Sequence, residues 1–125
     1  MIATYDTPRN LILQRPASEQ ATRRDLLRLL VLREVDGAAP RTGAAIFTSV
    51  AVLVCSFDLD TPGYALLHDL RDAGLLVAVA DRPPRYTITP AGRAEAERLA
   101  VRCWPGIRDA LVDLNVCVGC LAPRA

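Results

Sequence analysis

The sequence predicts an α+β domain in which helices pack around a small antiparallel hairpin. Three observations lead there: two helix-starting Thr-Pro pairs, a helical leucine pattern, and a proline turn between two apolar, strand-like segments. All lie between Thr61 and Gly92, in TPGYALLHDLRDAGLLVAVADRPPRYTITPAG. Thr61 suits an N-cap and Pro62 the first helical turn, where the missing N–H costs nothing. Leu66, Leu67, Leu70 and Ala73 recur at helical spacing, and Gly74 is placed to end the helix in a left-handed conformation. Leu75 to Ala80 is short and apolar, as in a strand; Asp81-Arg82-Pro83-Pro84 is turn chemistry; Arg85 to Thr89 alternates with period two. Thr89-Pro90 then opens another helix.

The phrases LLHDLRDAGLL and RYTITPAGRAEAERL resemble the winged helix-turn-helix regulators of the PadR and MarR groups. The positions that carry the likeness are Leu67, Leu70, Gly74 and Leu75, then Tyr86, Ile88, Thr89 and Gly92. They cover about a quarter of the chain closely and two-thirds loosely. Small winged-helix proteins of phages carry similar phrases. The resemblance implies a winged helix-turn-helix with a two-stranded wing and extra C-terminal helices. It also implies a DNA-reading helix at 61–73, a wing at 81–85, and a homodimer built by helices after the wing.

The remaining elements follow from the chain in order. Residues 1–17 read as an extended lead-in, with Asn10 to Gln14 able to form a short strand; 18–104 form the domain; 105–125 hold a last helix and a Cys-x-x-Cys tail. Ser18 can cap a helix from about Glu19 to Val35 with Gly37 beyond its end. Its leucines and valines cover more than one stripe, so it is buried on several sides, with Arg23, Arg24, Arg28 and Arg33 as a solvated face. A short first strand fits Ala38 to Arg41. Thr42 to about Cys55 suits strand as well as helix, since Ile46, Phe47, Val50, Val52 and Val54 are β-branched or aromatic; helix is chosen because the resemblance requires one, and Cys55 is then a core residue. After Pro90 a charged helix runs to about Cys103, broken by Trp104-Pro105-Gly106. Ile107, Ala110, Leu111 and Leu114 form one more amphipathic helix.

The chain has 125 residues, 51% of them hydrophobic and 23% charged, enough for one packed domain and too apolar for disorder. All its basic side chains are arginine, and the net charge is only +1, so composition gives no support to nucleic-acid binding. The polar first fifteen residues do not read as a signal peptide. The most apolar run, Gly43 to Phe57, is shorter than the roughly 20 residues a membrane span needs. A cytoplasmic protein with reduced cysteines and no membrane contact is expected.

Candidate DNA contacts are Thr61, Tyr64, His68 and Arg71 on the outer face of the 61–73 helix, with Leu66, Leu70 and Ala73 turned inward. Leu70 is expected beneath this helix, against Leu27 or Leu30. Arg82 and Arg85 at the hairpin tip reach for backbone or minor groove, or are simply solvated. Asp58, Asp60, Asp69 and Asp72 oppose phosphate binding. They leave open a second reading, a winged helix that grips a protein partner through the same surface. His68 is the one histidine, a surface residue rather than a general base. Cys117 and Cys120 form half a zinc site, with Cys103 a conceivable third ligand; structural zinc needs four, so no metal and no cofactor is expected. No phosphate loop or catalytic motif is present, and enzyme activity is not expected.

Overall fold

The structure, a computed structural model, describes residues 17–37, 39–110 and 121–124. The lead-in strand at 10–14, Leu111, Leu114, Cys117 and Cys120 lie outside the described residues. The elements run α1 (Ala17–Asp36), β1 (Arg41–Thr42), α2 (Gly43–Ser56), α3 (Tyr64–Asp72), β2 (Leu76–Asp81), β3 (Pro84–Ile88) and α4 (Pro90–Ala110). The class is α+β. The three strands form an antiparallel sheet in the order β1-β3-β2.

Helix α1 is the centre of the core. Leu26, Leu29, Leu30, Val31, Leu32 and Val35 are all buried, and α1 packs against α2, α4 and β3. The expectation of burial on several sides holds. Its solvated arginine face holds only in part: Arg24 is exposed, but Arg33 is only 6% exposed and pairs with Glu97 at 3.2 Å, while Arg28 lies 3.9 Å from Glu95. A guanidinium can enter the interior only when paired and hydrogen-bonded, and the helix α4 that supplies the partners was not locatable from α1's own sequence. Ser18 lies inside α1 rather than capping it.

The segment that suited either strand or helix is helix α2. Thr42 caps it, its Oγ1 accepting from Ala45 N at 3.2 Å. Gly43, Ile46, Val50 and Val54 are buried at helical spacing, with Phe57 beneath the end. The period was hidden because the outer face also carries apolar residues, among them Ala51, Val52 and Cys55. Cys55 is thus exposed rather than part of the core.

Two corrections concern helix ends. α3 begins at Tyr64 with Gly63 at the N-cap and no side-chain cap; Thr61 is exposed and Pro62 is buried in the preceding turn. Burial of Pro62 holds the chain extended for two further residues. Its C-terminus behaves as the glycine signal requires, with Gly74 at φ +80. α4, in contrast, continues through Trp104-Pro105-Gly106 to Ala110. Proline inside a helix costs about 3 kcal/mol. Here Ala96, Leu99, Ala100, Cys103 and Ile107 form one buried stripe that spans the proline, while Pro105 itself faces solvent. Tertiary burial on both sides outweighs the local signal.

On α4, Arg98 donates to both Glu95 oxygens, at 2.9 and 2.6 Å. That hydrogen bonding holds the Glu95 carboxyl below the usual carboxylate range, against the upward push of burial. A depressed carboxylate stabilises the fold above its unfolded pKa, and the contribution is lost as pH falls through the folded one. Arg98 is largely exposed, so screening keeps the effect small. Glu95→Gln is expected to cost about 0.5–1 kcal/mol at neutral pH, and nothing near pH 2, in urea melts. A gap of equal size at both pH values would mean that the loss is one of packing.

Candidate nucleic-acid interface

The site rests on how α3 is seated. Leu67 and Leu70 are fully buried beneath it, Leu66 is partly buried, and α3 packs against β2. Ala73, expected inward, is exposed: it is the C-cap of α3, still αR and bonded to Asp69 O, but at the end of the helix. Tyr64 is half exposed, its ring edge-on to Phe47 of α2 with centroids 5.4 Å apart. Gly43 permits this approach, since a Cβ there would come within 2.6 Å of the Tyr64 ring and 2.9 Å of Leu67. Sequence reading missed Phe47 and Gly43 as supports of Tyr64, because nothing local joins positions 43, 47 and 64.

Thr89 and Gly92 join α3 to the hairpin and to α4. The Thr89 hydroxyl donates to Gly74 O at 2.7 Å, with Leu75 O at 3.1 Å, and accepts from Gly92 N at 2.9 Å. A Cβ on Gly92 would overlap the Leu75 carbonyl oxygen. The Thr-Pro-Ala-Gly phrase is therefore a joint: its hydroxyl ties down the turn after α3, and its glycine lets the start of α4 lie directly on that turn.

Thr61, Tyr64, His68 and Arg71 are all exposed, on or just before α3. The hairpin pairs Leu76 with Ile88 at its base and Asp81 with Pro84 at its end. At about 3.3 Å per residue this carries the exposed Arg82-Pro83 turn roughly 16 Å from the base. The Arg82–Pro83 peptide is cis. Arg85 donates to Pro40 O at 3.4 Å, which ties the hairpin to the segment before β1.

The charge distribution separates two groups of arginine. Arg28, Arg33, Arg41, Arg93, Arg98, Arg102 and Arg124 have carboxylate partners on the helices and at the C-terminal end, and Arg71 lies 3.6 Å from its neighbour Asp72. Among the described residues, Arg23, Arg24, Arg82 and Arg85 have no such partner. Two of these four, Arg82 and Arg85, stand exposed at the hairpin. Asp58, Asp60, Asp69 and Asp72 are exposed around α3 and act in the opposite sense.

Among the described residues no group of three His, Cys, Asp or Glu side chains is placed to hold a metal. Cys103 is buried, which pushes its thiol up to about 12. No described helix is long and apolar enough to cross a membrane. No family model matches the chain, and none of the curated proteins compared with it matches.

Proposed function

We propose that the chain is a winged helix-turn-helix protein that binds double-stranded DNA as a small transcriptional regulator, in the manner of the PadR and MarR groups. The observation that carries the reading is the juxtaposition of an exposed α3 with a projecting hairpin whose Arg82 and Arg85 have no carboxylate partner among the described residues. The element order and the β1-β3-β2 sheet suit this class of domain. α3 would enter the major groove with Arg71 on a guanine edge and Thr61, Tyr64 and His68 at phosphate or base edges. Arg71 holds Asp72 only as an exposed pair, and such pairs are weak enough to be exchanged for a phosphate or base. A homodimer is part of the proposal, measurable by light scattering.

The four exposed aspartates around α3 favour one other reading, a winged helix that binds a protein partner through Tyr64 and Arg71. A gel shift with pooled genomic fragments at low salt separates the two. Retention at micromolar protein supports the regulator; no retention, with capture of a protein partner that Tyr64→Ala or Arg71→Ala abolishes, supports the interaction module.

A further inference from the structure

Helix α2 carries no charged residue in any of its 14 positions. Its inner face, Gly43, Ile46, Val50 and Val54, is buried. Yet Ala44, Thr48, Ala51, Val52 and Cys55 on its outer face are exposed, Val52 to 62%. A helix that is apolar all round is ordinarily covered all round, and a surface helix carries charge on its open side. The polar atoms of this face do not change its character. The Thr48 hydroxyl donates to Ala44 O at 2.9 Å, so its hydrogen bonding is met within the helix, and a free cysteine behaves as a small hydrophobe.

The face fits a second copy of itself. Ala44, Thr48, Ala51 and Cys55 follow one another at four, three and four residues, a spacing that reads the same from either end. At about 3.6 residues per turn they share one side of the helix. Turned about a two-fold axis, two such helices run antiparallel, with Ala44 opposite Cys55 of the second copy and Thr48 opposite its Ala51. Side chains this small let the two axes approach to about 8 Å. Charge selects the same arrangement. Asp58 is exposed just past the C-terminal end of α2. Antiparallel pairing sets it beside Arg41 and the positive N-terminal end of the second copy's α2. Parallel pairing would instead bring two aspartates and two like helix ends together.

We infer that the outer face of α2 is the contact through which two copies of this chain pair, antiparallel and centred midway along the helix. The inference rests on the homodimer of the regulator reading, but it sets the contact on α2 rather than on helices after the wing, and it needs no DNA.

Light scattering on the full chain from about 10 μM to about 1 mM tests it, a range suited to a contact smaller than the standard interface. A concentration-dependent dimer is expected. Thr48→Glu with Ala51→Glu places like charges opposite each other and should raise the concentration of half-association about 10-fold or more. Thr48→Arg with Ala51→Arg should do the same, and an equimolar mixture of the two variants should pair again. Far-UV circular dichroism reports that each variant is folded. Ala44→Cys should form, under mild oxidation, a disulfide between position 44 and Cys55, identified by peptide mass spectrometry. Eleven residues along one helix span roughly 16 Å, beyond the reach of a bond within one chain, so that link can only join two copies. A chain monomeric throughout the range would overturn the inference together with the homodimer. A dimer indifferent to both charged pairs, a mixture that stays apart, or absence of the 44-to-55 link would overturn the placement on α2 and leave the homodimer standing.

Discussion

Leu70→Ala is expected to destabilise the protein by about 2–5 kcal/mol, the range for truncating a fully buried leucine. Leu70 is 0% exposed and belongs to the same core as Leu30, with Leu27 packed at its edge. It is also one of only two fully buried residues on α3, so its loss removes much of what seats a nine-residue helix. A helix that short does not hold its shape by propensity alone. The cost should therefore appear both as a lower urea midpoint and as faster amide exchange within α3. His68→Ala, two residues earlier on the exposed face, should change the midpoint little. A Leu70→Ala loss below about 1 kcal/mol would mean that α3 presents a different face to the core.

The second large effect concerns Arg82 and Arg85. On duplex DNA each is expected to neutralise a phosphate, so each alanine substitution should reduce the slope of log affinity against log salt by about one unit, for all sequences alike. The double variant should lose retention of pooled fragments at about 50 mM salt, where the wild-type protein is retained. Arg71→Ala should behave differently, weakening a cognate site about 10-fold or more while leaving random duplex nearly unchanged. The contrast follows from position: Arg82 stands roughly 16 Å and Arg85 roughly 10 Å out from the sheet base, whereas Arg71 lies on the helix that would occupy the groove. Arg82, Arg85 and Arg71 all lie outside the core, so melting should change little, Arg85→Ala losing only its hydrogen bond to Pro40 O. Unchanged salt slopes in both single variants would remove the hairpin from the interface.

The aspartates around α3 would limit affinity for a nucleic acid. Asp69 and Asp72 share the exposed face of the helix with His68 and Arg71, and every phosphate brought near them meets repulsion. DNA binding as proposed would then rely on base contacts and on the hairpin more than on general charge attraction. That accords with a chain of net charge +1 whose other paired arginines are spent internally, on Glu34, Asp25, Asp36, Glu95 and Glu97.

The segment from α3 to the start of α4 was legible in the residues themselves. Gly74, the Arg82-Pro83 turn, the alternation into Ile88 and the Thr89-Pro90 start each express a backbone preference that acts within a few residues, and each is where the pattern placed it. The Thr89-to-Gly92 phrase even specified a contact, because hydroxyl and amide lie three residues apart. Exposure of Tyr64, His68 and Arg71 followed from helical phase alone. What depended on the tertiary structure were matters of competition between distant parts. Whether Thr61 or Gly63 starts α3 turned on the burial of Pro62; whether Pro105 ends α4 turned on Cys103 and Ile107 being buried on either side of it. Whether Arg33 meets solvent or Glu97, and whether Arg82 and Arg85 are neutralised, turned on which carboxylates the fold brings within reach. Composition counts charges, but Coulombic and desolvation energies depend on distance and burial, and only the packed chain sets those.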